Sequence, residues 1–262
     1  MLEVVGAVFS NTDYFVLMLV RVGGLVFSSP IFGRVNVPQM TKIGLVASIT
    51  FLFFTAFPQT EPLQYSTLIG FMLLAAMELL LGIALAFITN IFFSLVAFTA
   101  GQLIDMQIGF GIVNVFDVQN NMQAPMMGNI LNLMMLMVFF AINGHLRLIE
   151  MVFLTIDRMP VGTLILNPAI GITALEIFVR AFLLGVMMAL PILASGLTLE
   201  IAFGMMMRAV PQIHMFVVGM PLKVIVGLIL FMITLPVFIG FTNRIFSDMF
   251  TSLDTMFSAF IG

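Results

Sequence analysis

The sequence predicts an all-α, multi-helix integral membrane protein, and three observations carry that prediction. Of 262 residues, 62% are apolar and only 8% are charged, against about 45–50% and about 25% in soluble domains. The apolar residues fall in long runs, at roughly 14–32, 43–60, 68–104, 126–142, 181–199 and 224–243. Glycine and proline interrupt those runs at Gly23-Gly24, Pro30, Pro191, Pro236 and Gly240. Breaks of that kind survive at membrane depth only where neighbouring protein satisfies the freed backbone groups. With a mean hydropathy of +1.23, the solvent is lipid, other hydrophobic subunits, or both.

A bilayer-spanning helix needs about 20 apolar residues. The run Tyr14–Phe32 has one charge in its middle, Arg21. The runs 43–60 and 126–142 are marginal, and pair as short hairpins inside an assembly as readily as they cross a bilayer. Run 68–104 holds a single charge, Glu78, and is too long for one ordinary span. It is either one long bent helix or two helices joined near Thr89-Asn90. Basic residues between the runs are Arg34 and Lys42, Arg147 and Arg158, Arg208 and Lys223, then Arg244. If 68–104 makes two spans, most of these lie on one side with the N-terminus opposite; if one, the sides balance and orientation is undetermined. The opening Met-Leu-Glu-Val-Val-Gly is acidic where a signal peptide begins basic, so insertion without cleavage is expected. No repeat of fixed period and no linker is evident, and residues 1–262 read as one domain.

A charge in hydrocarbon costs at least about 2.5–3.5 kcal/mol, so Arg21 and Glu78 must face partners or water. They form either a structural pair or part of a proton pathway. Glu176 and Arg180, spaced i,i+4, are a second candidate pair. Ala181, Gly185 and Ala189 recur every four residues, a small-residue stripe that lets another helix approach closely, from this chain or from another subunit.

Catalytic groups are scarce. His145 and His214 lie far apart with no acid or histidine at metal-ligand spacing, and there is no cysteine. Gly109-Phe110-Gly111 lacks the third glycine of a dinucleotide loop. Net charge is −3 with nine basic residues, which fits no nucleic-acid surface. No enzyme activity, cofactor or metal is expected.

The most unusual segment is Asp105–Pro125, DMQIGFGIVNVFDVQNNMQAP. It has no basic residue, yet it places Ile108, Phe110, Ile112, Val113, Val115 and Phe116 densely among glycines and the amides Gln119, Asn120 and Asn121. Such a composition suits a buried loop lining a cavity, with Gly109 and Gly111 supplying backbone freedom around Phe110. Methionine is abundant, 24 residues, in clusters such as Met126-Met127 and Met205-Met206-Met207. Its flexible thioether fills irregular gaps, and most positions read as plain apolar filler.

Three blocks carry a resemblance that spans nearly the whole chain. Arg21, Pro30-Ile31-Phe32-Gly33, Val37-Pro38 and Lys42 form the first. Gly101-Gln102-Leu103-Ile104-Asp105 running into Gly109-Phe110 forms the second. Pro211-Gln212-Ile213-His214-Met215-Phe216, Gly219-Met220-Pro221-Leu222-Lys223 and Gly227 form the third, with His214 and Met215 as local variations. In order and spacing these resemble the FliR family of flagellar type III secretion export proteins. The resemblance implies helical hairpins in a right-handed hetero-oligomeric export gate of the bacterial inner membrane, within the flagellar basal body. It implies FliP- and FliQ-like partners, an FlhB-like export component, and unfolded export substrates in transit. It also implies that the loop Ile108, Gly109, Phe110, Gly111, Ile112 and Val113 helps plug the central channel. A virulence-injectisome homologue is the nearest alternative. A small-solute secondary transporter is a further one, but it calls for an internal repeat and a polar midplane site.

Overall fold

A computed structural model of the chain describes residues 11–57, 63, 65, 67–109, 126–163, 167–209 and 219–261. All regular elements among them are helices: α1 (Thr12–Ser28), α2 (Gln39–Ala56), α3 (Leu68–Asn90), a π-helical turn (Ile91–Leu95), α4 (Val96–Ile108), α5 (Met126–Ala141), α6 (Gly144–Arg158), α7 (Ala169–Ala209) and α8 (Met220–Ile261). The all-α class is thus what the structure has.

Among the described residues, four helical segments are long and apolar enough to cross a membrane: Gln39–Ala56, Leu68–Ile108, Ala169–Arg208 and Pro221–Phe260. In the most apolar stretch of the last, only 17% of residues are buried within the chain. That helix therefore turns most of its surface to lipid or to other subunits.

Local chemistry sets the ends. Ser29 is extended (φ −70, ψ 138) because the ring of Pro30 clashes with a helical predecessor, and α1 stops there. Thr67 Oγ1 accepts from the Gly70 N–H at 3.2 Å, an N-cap at the start of α3. The π turn follows Thr89-Asn90, where the apolar run 68–104 was expected to bend or divide. Helix α6 had no counterpart among the apolar runs. It buries Leu148, Val152, Thr155 and Ile156, a stripe at helical spacing, while Arg147, Glu150, Asp157 and Arg158 stay exposed.

The chain forms two compact units. The first holds α1, α2, α3 and α6, with α7 up to Ile177 and α8 from Met249. Its core is the stripe Leu17, Met18, Val22 and Leu25 of α1 with Leu81, Leu85 and Ile88 of α3, all nearly inaccessible. Arg147 stacks over the Phe250 ring at 4.4 Å and Arg158 over Phe257 at 5.8 Å, tying α6 to the end of α8 by cation–π contacts.

The second unit holds the π turn, α4, α5, α7 from Phe178 and α8 up to Asp248. Phe93, Phe139 and Phe246 form its aromatic centre, each ring centroid 5.2 Å from the other two. Phe93 lies in the π turn, so that irregularity delivers a core ring. The small-residue stripe serves this unit: Ala181, Gly185 and Ala189 are all buried, and a Cβ on Gly185 would stand 2.8 Å from Thr99 Cβ. At Gly185, α7 meets α4 of the same chain. Arg180 pairs with Asp248 at 2.8 Å, and this partner on α8 takes the place of Glu176.

Candidate functional site

Two constructions stand out, one in each unit. In the first, Arg21 and Glu78 are both fully buried and paired, Arg21 Nε donating to Glu78 Oε2. The guanidinium also donates from Nη1 to the carbonyls of Thr155 at 3.1 Å and Met159 at 3.0 Å. Both carbonyls lie at the C-terminal end of α6, where the helix dipole favours a cation, and that of Thr155 also accepts from the Met159 N–H at 3.0 Å. Glu78 Oε1 accepts from the Gly162 N–H at 2.8 Å. Gly162 has φ +88, a backbone region that side chains rarely adopt, and the turn uses it to aim that N–H inward. One pair of charges thereby joins α1, α3, the end of α6 and the turn after it. At the edge of this unit, Asp13 accepts from the Tyr65 hydroxyl, and that hydrogen bond holds the phenol above its usual range.

The pairing requires α1 and α3 to lie backbone to backbone. A Cβ on Gly82 would sit 2.2 Å from the Arg21 carbonyl oxygen and 3.1 Å from Gly24 Cα. One on Gly24 would sit 3.0 Å from the Leu79 carbonyl oxygen. At Gly82, four residues from Glu78, only glycine fits, while Gly24, three residues from Arg21, sits in a tight contact that a side chain would have to push apart.

The second construction is the end of α4 with the start of α5. A Cβ on Gly101 would fall 2.2 Å from both Cα and N of Gly128, so these helices also touch through backbone. One turn on, buried Asp105 accepts from the Met127 N–H through Oδ1 at 3.3 Å, capping α5 with a carboxylate where the helix dipole favours one. Helix α4 ends at Ile108, which is 1% exposed. Gly109 closes it in a left-handed conformation, φ 101, its N–H donating to the Asp105 carbonyl at 3.0 Å. Of the expected loop residues, Ile108 therefore belongs to packed helix and Gly109 to its cap. Phe110, Gly111, Ile112 and Val113 lie outside the described residues.

Sequence reasoning singled out Arg21 and Glu78 and missed the rest of their cluster. The partners at Thr155, Met159 and Gly162 are backbone groups, which carry no side-chain signature. Asp105 and Gly101 stood in the second block of the resemblance without a role; their spacing of four, on one helix face, was the available signal. Among the described residues no group of three or more His, Asp or Glu could hold a metal; His214 lies outside them.

Fold and sites together define a helical membrane protein whose polar residues are spent on holding helices in place. The comparisons with known proteins agree. Residues 13–249 match the family described as bacterial export proteins, family 1. The chain is 32% identical to the flagellar biosynthetic protein FliR of Escherichia coli (strain K12), over 92% of this chain and 91% of that one. Against FliR of Bacillus subtilis (strain 168) it is 29% identical, over 89% and 90%, and against FliR of Aquifex aeolicus (strain VF5) 27%, over 92% of each. The chain belongs to the FliR family of bacterial export proteins.

Proposed function

We propose that this chain is a non-enzymatic core subunit of the flagellar protein export gate in the bacterial inner membrane. In this reading it assembles with FliP- and FliQ-like subunits and an FlhB-like component in the basal body, and unfolded flagellar proteins pass outward through the assembly. The segment that leaves α4 at Gly109 and returns at Met126 is its closure element. Family membership and the relatives' names support the first part.

The observation that carries the second part is the way the segment's two ends are fixed. Gly101 against Gly128 and Asp105 on the Met127 N–H hold the departing and returning helices together, while Gly109 offers a left-handed hinge between them. A conduit wide enough for an unfolded polypeptide leaks ions when idle unless something seals it. A loop that swings from a fixed base by backbone rotation does so without moving a helix. Ile112 and Phe110 are its water-excluding residues, and Gln119–Asn121 its polar anchor. Deleting Gly109–Gly111 tests this in cells carrying the full set of export components. Increased ion leakage across the inner membrane with partners still co-purifying is expected. An intact barrier with lost assembly would make the segment a static packing element.

A further inference from the structure

Gly227 is the glycine of α8 that faces the end of α4. A Cβ on Gly227 would lie 2.9 Å from Ile108 Cγ1, 3.0 Å from Cγ2 and 3.3 Å from Cβ. Ile108 is 1% exposed, so its side chain has no free space to retreat into. One turn earlier on the same face of α8, Val224 Cγ2 stands 4.0 Å from where a Cβ on Gly109 would be. Residues three apart share a helix face, so Val224 and Gly227 together form the seat on which α4 ends. Lys223, next in sequence to Val224, pairs with Glu200 of α7, which fixes the first turn of that seat.

We infer that Gly227 is a positioning residue for the hinge: its missing side chain is the socket for Ile108, and α8 thereby sets where the chain leaves α4 at Gly109. The inference rests on the closure reading above. A methyl group at Gly227 cannot be absorbed by a buried β-branched side chain with stiff χ1. The end of α4 must shift instead, and Gly109 shifts with it. Removing the Ile108 side chain has the complementary effect, leaving a hole into which the helix end relaxes. The two positions behave as a size-matched pair, so a methyl added on one side compensates for atoms lost on the other.

The test uses Gly227→Ala, Ile108→Ala and the double variant in cells with all export components. It reads ion leakage of idle cells and recovery of the solubilised complex. Each single variant is expected to assemble and to leak severalfold more than wild type, and the double to return toward the wild-type barrier. A wild-type barrier in an assembled Gly227→Ala complex overturns the inference, as does a leak that the double variant leaves unchanged. If the Gly227→Ala complex does not form, Ile108→Ala decides: leakage upholds the inference and a wild-type barrier overturns it. The Gly109–Gly111 deletion separates the two layers. If it leaks while the assembled Gly227→Ala complex stays tight, only the socket is wrong. If the deletion itself leaves the barrier intact, the closure reading falls and takes the socket with it.

Discussion

Replacing Arg21 by methionine keeps most of the side-chain volume and removes the charge, which isolates the electrostatic part of the buried cluster. Two acceptors lose the guanidinium with nothing among the described residues to replace it, Glu78 Oε2 and the Met159 carbonyl, while the Thr155 carbonyl keeps the Met159 N–H. Leaving one charge of a buried pair uncompensated costs about 3–5 kcal/mol. Glu78 keeps the Gly162 N–H, which moderates the loss, whereas an abandoned carbonyl adds to it by about 1–3 kcal/mol. The expected net is about 3–5 kcal/mol, a roughly hundredfold or greater shift toward the unfolded chain. Glu78→Leu should cost a similar amount. In the double variant Arg21→Met, Glu78→Leu no charge is left behind, so its loss should fall short of the summed single losses by at least about 2 kcal/mol. The assay is denaturant-driven loss of protease resistance in the purified complex, run as a double-mutant cycle. Export per assembled complex is followed in parallel and should hold while assembly declines. Additive single losses would refute the pairing argument. Normal assembly with failed export would show that the pair acts in transport, contrary to the structural reasoning.

Other outcomes follow from the same geometry. Gly82→Ala should destabilise the chain more than Gly24→Ala, since its Cβ meets backbone at 2.2 Å rather than 3.0 Å, beyond the usual overpacking cost of about 1–3 kcal/mol; equal melting temperatures for the two complexes would contradict this. Asp105→Ala should cost about 0.5–2 kcal/mol through loss of the α5 cap, and Asp105→Asn less because an acceptor oxygen remains; the order of their unfolding midpoints checks it. Purified alone in mild detergent, the chain should aggregate or exchange between oligomers, given the apolar faces it leaves uncovered. A long-lived monodisperse monomer on size exclusion would count against that.

Legibility in the sequence followed physical range. Apolar runs revealed the helices that face lipid or subunits, and the polar pair Thr89-Asn90 marked where the long run turns irregular. Helix α6 escaped notice because its signal is a period, Leu148, Val152, Thr155 and Ile156, and not a run. Helices α7 and α8 extend well past their apolar runs, since Arg180 and Asp248 interrupt hydrophobicity without interrupting helix. Arg21 and Glu78 were conspicuous as charges, but a partner 57 residues away leaves no local trace. Nor did the sequence distinguish a stripe that meets α4 from one that meets another subunit; only the contact of Gly185 with Thr99 does.

The reach of the Arg21 cluster along the chain also imposes a timetable on synthesis. The guanidinium emerges 57 residues before Glu78 and 134 before Thr155. At about 5–20 residues per second, the second interval lasts roughly 7–27 s. Over the first interval, roughly 3–11 s, α1 carries an uncompensated cation, at about 2.5–3.5 kcal/mol if placed in hydrocarbon. The nascent first helix must therefore be kept near water or beside an insertase until α3 supplies Glu78, and its guanidinium gains its remaining acceptors only once α6 has been made.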